Sequence, residues 1–211
     1  MTKIAACIAV FLSLPAVSQE RPPKVVVVPS TPAAGPQWDK GVVEDGTYKN
    51  ASIGLELTPP SALELGTPEL KGNPGTVPLL VTITAVSAPN LFAGRDAIAF
   101  YADALAYYPA NQRSTEAYLR KAVQGNQSEG FEPLDGSSES TLGGAPFMRQ
   151  DFQKGLRYEA VLVKACKAQA IVFIFASSQK ERVNKLIGDT HLKLDLGGAG
   201  CGSNSASPGQ K

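Results

Sequence analysis

Tyr158-Glu159-Ala160-Val161-Leu162-Val163-Lys164-Ala165, then Cys166-Lys167-Ala168, then Gln169-Ala170-Ile171-Val172-Phe173-Ile174-Phe175-Ala176 is the stretch that decides the fold. A β-branched apolar run climbs, a short break turns, and a second apolar run descends. The pattern predicts a β-hairpin with strands over 157–165 and 169–176. The descending run is apolar on both faces, so something must cover the sheet on each side.

Working outward, the chain after the hairpin predicts a helix starting near Ser178, with Val183, Leu186 and Ile187 facing in. Ser178 is the expected N-cap, and Glu181 stands at capping-box spacing from it. Leu192, Leu194 and Leu196 alternate and suggest a short edge strand. Before the hairpin, 146–153 reads as a strand. Phe147, Arg149, Asp151 and Gln153 share one of its faces; Met148, Gln150 and Phe152 share the other. Gly143-Gly144 turns it back to a strand over 137–142, and 132–140 reads as a Gly/Ser-rich acidic loop.

Further upstream, Ile98, Tyr101, Ala102, Leu105 and Tyr108 recur at helical spacing and predict a helix that ends at Pro109. Ser114 is the expected N-cap of a second helix carrying Tyr118, Leu119, Ala122 and Val123. Residues 79–86 read as a strand that is apolar on both faces in its front half. Ile53, Leu55 and Leu57 alternate inward in a strand or strand pair near 48–57, after a turn at Asp45-Gly46. The element order predicts an α+β domain, an antiparallel β-sheet packed by helices in an α/β/α sandwich.

Both ends differ from this domain. Lys3, an apolar stretch over 4–14, Pro15, and small residues at Ala16 and Ser18 predict a signal peptide over 1–18, cleaved after Ser18. Its apolar stretch falls short of the about 20 residues a membrane span needs. The expected location is secreted or periplasmic, with no membrane span in the mature chain. Residues 19–41 are a Pro/Ala-rich leader, 42–196 the single domain, and 197–211 a Gly/Ser tail.

Net charge narrows the function classes. The 211 residues carry a formal charge of +1, without a dense Lys/Arg run, so the chain has no electrostatic footprint for nucleic acid. Cys166 and Cys201 remain after processing. Either they pair, which would stabilise by about 4 kcal/mol in the chain-entropy picture, or they are two independent thiols.

The order of elements, and particularly 156–194, resembles the Mog1/PsbP-like fold family. The phrase Gly46-Thr47-Tyr48-Lys49-Asn50 is similar to the "G-x-Y-x-N" that opens many members. Tyr158-Glu159-Ala160, the apolar strand 171–175, Ala176-Ser177 and the helix after them are similar to the family's closing elements. The resemblance implies an accessory, docking or adaptor role without enzymatic activity, and it supplies no binding residue.

Chemistry-bearing motifs are scarce. His191 is the single histidine, so any histidine-based nucleophilic mechanism must pass through it, and no G-x-S-x-G elbow surrounds a serine. One histidine and two separated cysteines make a poor zinc set, and no phosphate-binding or dinucleotide fingerprint occurs, so no cofactor is expected. Glu132 with Asp135, and Glu139 with Asp151, are the carboxylate pairs that could flank a glycosidic bond. Glu132-Pro133-Leu134-Asp135-Gly136 lacks the spacing of a calcium loop. Asn50-Ala51-Ser52 is a glycosylation sequon. The candidate docking surface comprises Tyr107 and Asp103, on the outer face of the expected first helix, and Glu132, Asp135 and Glu139 in the acidic loop. Three readings follow: an exported accessory module that binds a protein partner, a small exported hydrolase using loop carboxylates, and a carrier of an apolar ligand.

Overall fold

The computed structural model describes residues 38–72, 80–87, 95–166 and 169–195. The expected signal peptide, nearly all of the leader, the tail and Cys201 lie outside these residues. The described chain is α+β, built mostly of antiparallel strands with two α-helices. No described helix is long and apolar enough to cross a membrane.

The strands are β1 (Val42–Glu44), β2 (Thr47–Asn50), β3 (Leu55–Thr58), β4 (Leu63–Leu65), β5 (Glu69–Lys71), β6 (Leu80–Ser87), β7 (Ala97–Ala104), β8 (Glu132–Leu142), β9 (Ala145–Lys154), β10 (Arg157–Ala165), β11 (Gln169–Ser177) and β12 (His191–Leu194). Helix α1 spans Thr115–Ser128 and α2 spans Lys180–Asp189. The larger sheet runs β4-β6-β7-β11-β10-β9-β8, with β5 also paired to β6. A smaller sheet runs β1-β2-β3-β12.

The hairpin that anchors the sequence reading is the centre of the larger sheet. β10 and β11 pair from Tyr158↔Ser177 to Ala165↔Ala170. Alternate residues of β11 enter two separate cores. Ile171, Phe173 and Phe175 join Val183, Leu186 and Ile187 of α2 and Leu55, Leu57 and Leu192 of the smaller sheet. Ala170 and Val172 join Tyr118 and Leu119 of α1. Phe173 contributes most visibly, with ring centroids 5.1 Å from Phe100 and 5.8 Å from Phe147. Burying one such side chain fully is worth about 1.5–3 kcal/mol.

Several expectations need correction. The segment over 97–104 is a strand, not a helix. Ile98, Phe100, Ala102 and Ala104 are all buried, a period-2 set that the helical spacing of Ile98, Tyr101 and Leu105 obscured. The segment pairs along its whole length with β6 and β11, and a vacant slot between two strands overrides the helical propensity of alanine. The acidic loop over 132–140 is likewise strand, within β8. Its Asp-Gly break is absorbed as a bulge between Leu134 and Ser138, where Asp135 takes φ 55°. Ser114 caps α1 as expected, accepting from the Ala117 amide at 3.1 Å. Ser178 does not cap α2. Gln179 is the N-cap residue, and its side chain makes no capping bond. The described strands form two sheets rather than one: β1, β2 and β3 pair among themselves, and β12 pairs with β3 instead of the larger sheet. The short strands β4 and β5 gave no sequence signal.

Tyr48 and Asn50 show what the opening phrase does. Both are buried; Asn50 Nδ2 donates to the Tyr48 hydroxyl at 2.9 Å and to the Asp39 carbonyl at 3.0 Å. The Tyr48 hydroxyl donates to the Lys40 carbonyl at 3.0 Å. Asn50 Oδ1 accepts from Ser52 Oγ and from the Ile53 amide. The phrase therefore folds the entry of the domain onto its first hairpin, and the sequon's amide nitrogen is enclosed.

Candidate functional site

Two places in the fold collect the candidate residues. The first is a phenol-carboxylate cluster between β7 and α1. Asp103 lies near the end of β7 and is only 5% exposed, so it is not on the docking surface expected for it. Its Oδ2 accepts from the Tyr118 hydroxyl at 2.7 Å and from the Tyr108 hydroxyl at 2.5 Å. Its Oδ1 is buried without a hydrogen-bond partner. Lys121, one turn beyond Tyr118 on α1, donates to the Tyr108 hydroxyl at 3.2 Å and stands 4.4 Å from the centre of that ring. The same ammonium is 5.5 Å from the centre of the Tyr118 ring. Tyr101, two residues before Asp103 and so on the same face of β7, completes the group.

The electrostatics of this cluster are one-directional. Burial, with the Asp103 charge, pushes the phenols of Tyr101, Tyr108 and Tyr118 upward. They remain protonated donors throughout the physiological range. Burial lowers the Lys121 ammonium, and the Asp103 charge opposes that shift. The cluster can hold a positive charge over aromatic faces beside a carboxylate, and it has no phenolate to act as a base. Arg113 straps the intervening turn, donating to the carbonyls of Tyr108 and Ala106. Tyr107 sits in a short 3-10 turn over Leu105–Tyr107 and is half-buried.

The second place is the outer edge of the larger sheet. β8 ends the strand order, and among the described residues it pairs only with β9. Its eleven residues are mostly exposed. Glu132, Asp135 and Glu139 all point to solvent, and Lys180 of α2 reaches Asp135 Oδ2 at 3.8 Å. Asp151, expected as the partner of Glu139, instead forms an ion pair with Arg149 at 2.6 Å. Arg149 also donates to Asn184 of α2 at 2.7 Å. The strand is held from behind by Gln150, whose Nε2 donates to the carbonyls of Leu134 and Asp135 at the bulge.

The structure thus brings Glu132, Asp135 and Glu139 onto one edge strand and separates them from Asp103 and Tyr107. These three carboxylates are solvated rather than desolvated, which is not the environment that splits acid from base roles. His191 is exposed on β12. It lines a shallow polar groove of about 470 Å³ with Glu56, Thr58, Thr190 and Lys193, where Lys193 pairs with Glu56 at 3.2 Å. Among the described residues no group of three metal-ligating side chains converges. Cys166 is buried and disulfide-bonded, and Cys201, with which one of the two sequence readings pairs it, lies outside the described residues.

Sequence reasoning missed the aromatic lining of Asp103, and with it the place of Lys121 beside Asp103, because reading 97–104 as a helix lost the register of β7. It also missed Asp96, which is buried immediately before β7 and binds Ser177 and Arg182. An aspartate inside an alternating apolar strand was the available signal for Asp103. Comparisons with protein families, curated proteins and solved structures gave no match to this chain.

Proposed function

We propose that this chain is an exported, non-enzymatic accessory module that binds a protein partner, in the secreted or periplasmic space, on a Mog1/PsbP-like fold. The observation that carries the reading is β8: a long, solvent-facing edge strand with its outward backbone groups unpaired among the described residues. A partner segment can add to such an edge as a further strand, each main-chain hydrogen bond contributing about 0.5–1.5 kcal/mol net. The acidic side chains along β8 discourage a second copy from pairing there, since like charges would face one another. They favour a partner whose docking segment carries lysine or arginine. The signal-like N-terminus supports export, and the family-like closing elements over 156–194 support the adaptor role.

The test places a photo-crosslinking residue at Ser137, on the exposed edge, and separately at Leu156, which is 85% exposed at the turn between β9 and β10. The chain is expressed in its native compartment. One protein should be captured from Ser137 and not from Leu156, and capture should fall in the Glu132→Lys, Glu139→Lys double variant. Equal capture from both positions, or capture unaffected by the charge reversal, would contradict the proposal.

A further inference from the structure

We infer that Cys166 is joined by a disulfide to Cys201, and that this bond is a redox-controlled lock on β12, the last strand of the smaller sheet. Cys166 follows the end of β10, is buried, and is disulfide-bonded. The chain has two other cysteines, Cys7 and Cys201. Geometry among the described residues favours the second. The Cys166 amide donates to the Gln169 carbonyl at 2.7 Å, and Gln169 Nε2 donates to the Ile53 carbonyl at 3.2 Å. The next carbonyl, that of Gly54, accepts from the Asp195 amide at 2.8 Å. Three hydrogen bonds thus lead from Cys166 to the residue that follows β12. Cys201 stands six residues beyond Asp195, a reach of at most about 20 Å. Cys7 stands 31 residues before Trp38, where the described chain begins. The probability that two tethered groups meet falls with about the 3/2 power of tether length, which favours the shorter tether about tenfold. Cys7 also falls in the segment that the export reading removes.

The loop that such a bond closes contains β11, α2 and β12. β11 lies between β7 and β10, and α2 packs three apolar side chains into the core beside it, so both are held without the bond. β12 is different. It has four residues, and among the described residues it pairs only with β3. Its near end is fixed where Thr190 Oγ1 donates to the Leu186 carbonyl at 2.7 Å. The disulfide fixes its far end, and without it the strand can peel from Leu55 and Leu57, starting at Leu194. Formation takes an external disulfide as oxidant. Because Cys166 is buried, the Cys201 thiolate attacks that disulfide and expels one of its thiols, and the Cys166 thiolate then displaces the other. One S–S bond breaks in the oxidant and one forms in this chain. Two electrons leave the cysteines, and their two protons end on the oxidant's thiols. A dithiol reductant reverses both steps. The lock is independent of which partner β8 binds.

The full chain would be purified without reductant, its free thiols alkylated, and the protein digested without reduction for mass spectrometry of the linked peptides. A Cys166–Cys201 link is expected, in a chain whose intact mass is that of one copy. A Cys7–Cys166 link, an alkylated Cys166, or a link between two copies would overturn the pairing. Dithiothreitol, whose two thiols close to a cyclic disulfide as the chain's own is reduced, then tests the lock. Amide exchange over His191–Leu194 should quicken by about tenfold or more on reduction, while Val161 and Phe173 in the larger sheet keep their rates. Cys201→Ser should show the faster exchange from the start and give no response to dithiothreitol. Unchanged exchange in β12 after reduction would refute the lock even where the link maps as expected. An equal rise through every strand would make the bond a general cross-link and refute it as well.

Discussion

Ser177, the last residue of β11, donates its hydroxyl to Oδ1 of Asp96 across 2.7 Å, and both residues are buried. The other oxygen of Asp96 is taken by Arg182 in the first turn of α2. One carboxylate therefore fixes where β11 ends and how α2 leaves the sheet. Asp96→Ala should cost about 2–3 kcal/mol, because it strands the Ser177 hydroxyl and loses a charged hydrogen bond. Ser177→Ala should cost about 1 kcal/mol, since the carboxylate keeps its arginine. Urea denaturation of the two variants measures both, and equal costs would contradict this division.

The enclosed amide of Asn50 predicts the fate of the sequon. Both Nδ2 hydrogens are used, one on Asp39 and one on Tyr48. A glycan on that nitrogen cannot coexist with these bonds. Expression through a eukaryotic secretory pathway should yield folded protein without sugar at Asn50, as read by intact-mass spectrometry. Folded protein carrying a glycan there would refute the geometry.

Glu159 sets a pH dependence. Burial raises its carboxyl above the ordinary value of 4.5, with Arg157 at 2.7 Å opposing the shift. The folded state then binds more protons than the unfolded one just above pH 4.5, so stability falls as pH rises through that window. Glu159→Gln cannot lose a proton. Its stability relative to wild type should therefore improve between pH 4 and pH 7, measured as the difference in urea midpoints (the span is about three units around the ordinary carboxylate value). A constant or declining difference would reverse the sign argued here.

Tyr48 gives an alkaline counterpart. Burial pushes its phenol up to about 12, from 10.0. The unfolded chain releases that proton first, so this contribution is intact below pH 10 and is lost as pH climbs toward 12. Tyr48→Phe should flatten the decline seen in thermal midpoints across this interval, after an initial loss from the missing hydrogen bonds.

Gly143 and Gly144 form the turn between β8 and β9, and both take positive φ, 59° and 78°. A side chain at 143 would meet the Leu192 carbonyl oxygen at 2.1 Å, whereas a side chain at 144 meets nothing within 4 Å. Alanine at either position bears the left-handed backbone cost. Gly143→Ala should lose about 1–3 kcal/mol beyond Gly144→Ala, because backbone rather than a movable side chain must give way. Equal thermal midpoints for the two variants would show that β12 yields without cost.

The hairpin of β10 and β11 was legible because two signals agreed there: β-branched residues, and an apolar run too short for a buried helix. At 97–104 the signals conflicted. Alanine at 97, 99, 102 and 104 favours helix, and Ile98, Tyr101, Leu105 and Tyr108 keep helical spacing by coincidence. Only the neighbours β6 and β11, distant in sequence, decide the matter. The same loss of register hid the phenol cluster, since Asp103 read as an outer-face residue turns inward on a strand. In β8 the strand over 137–142 and its turn at Gly143-Gly144 are legible, whereas the Asp135-Gly136 break makes 132–136 read as loop and hides the bulged pairing with β9 there.

β3 and β12 lie side by side although 137 residues separate Glu56 from its ion-pair partner Lys193. The smaller sheet therefore cannot be completed until almost all of the domain has been synthesised. A growing chain keeps Leu55 and Leu57 without their final neighbour until Leu192 and Leu194 are made. Closing so distant a contact is slow, and it holds back the packing of the smaller sheet until the last described strand has joined it.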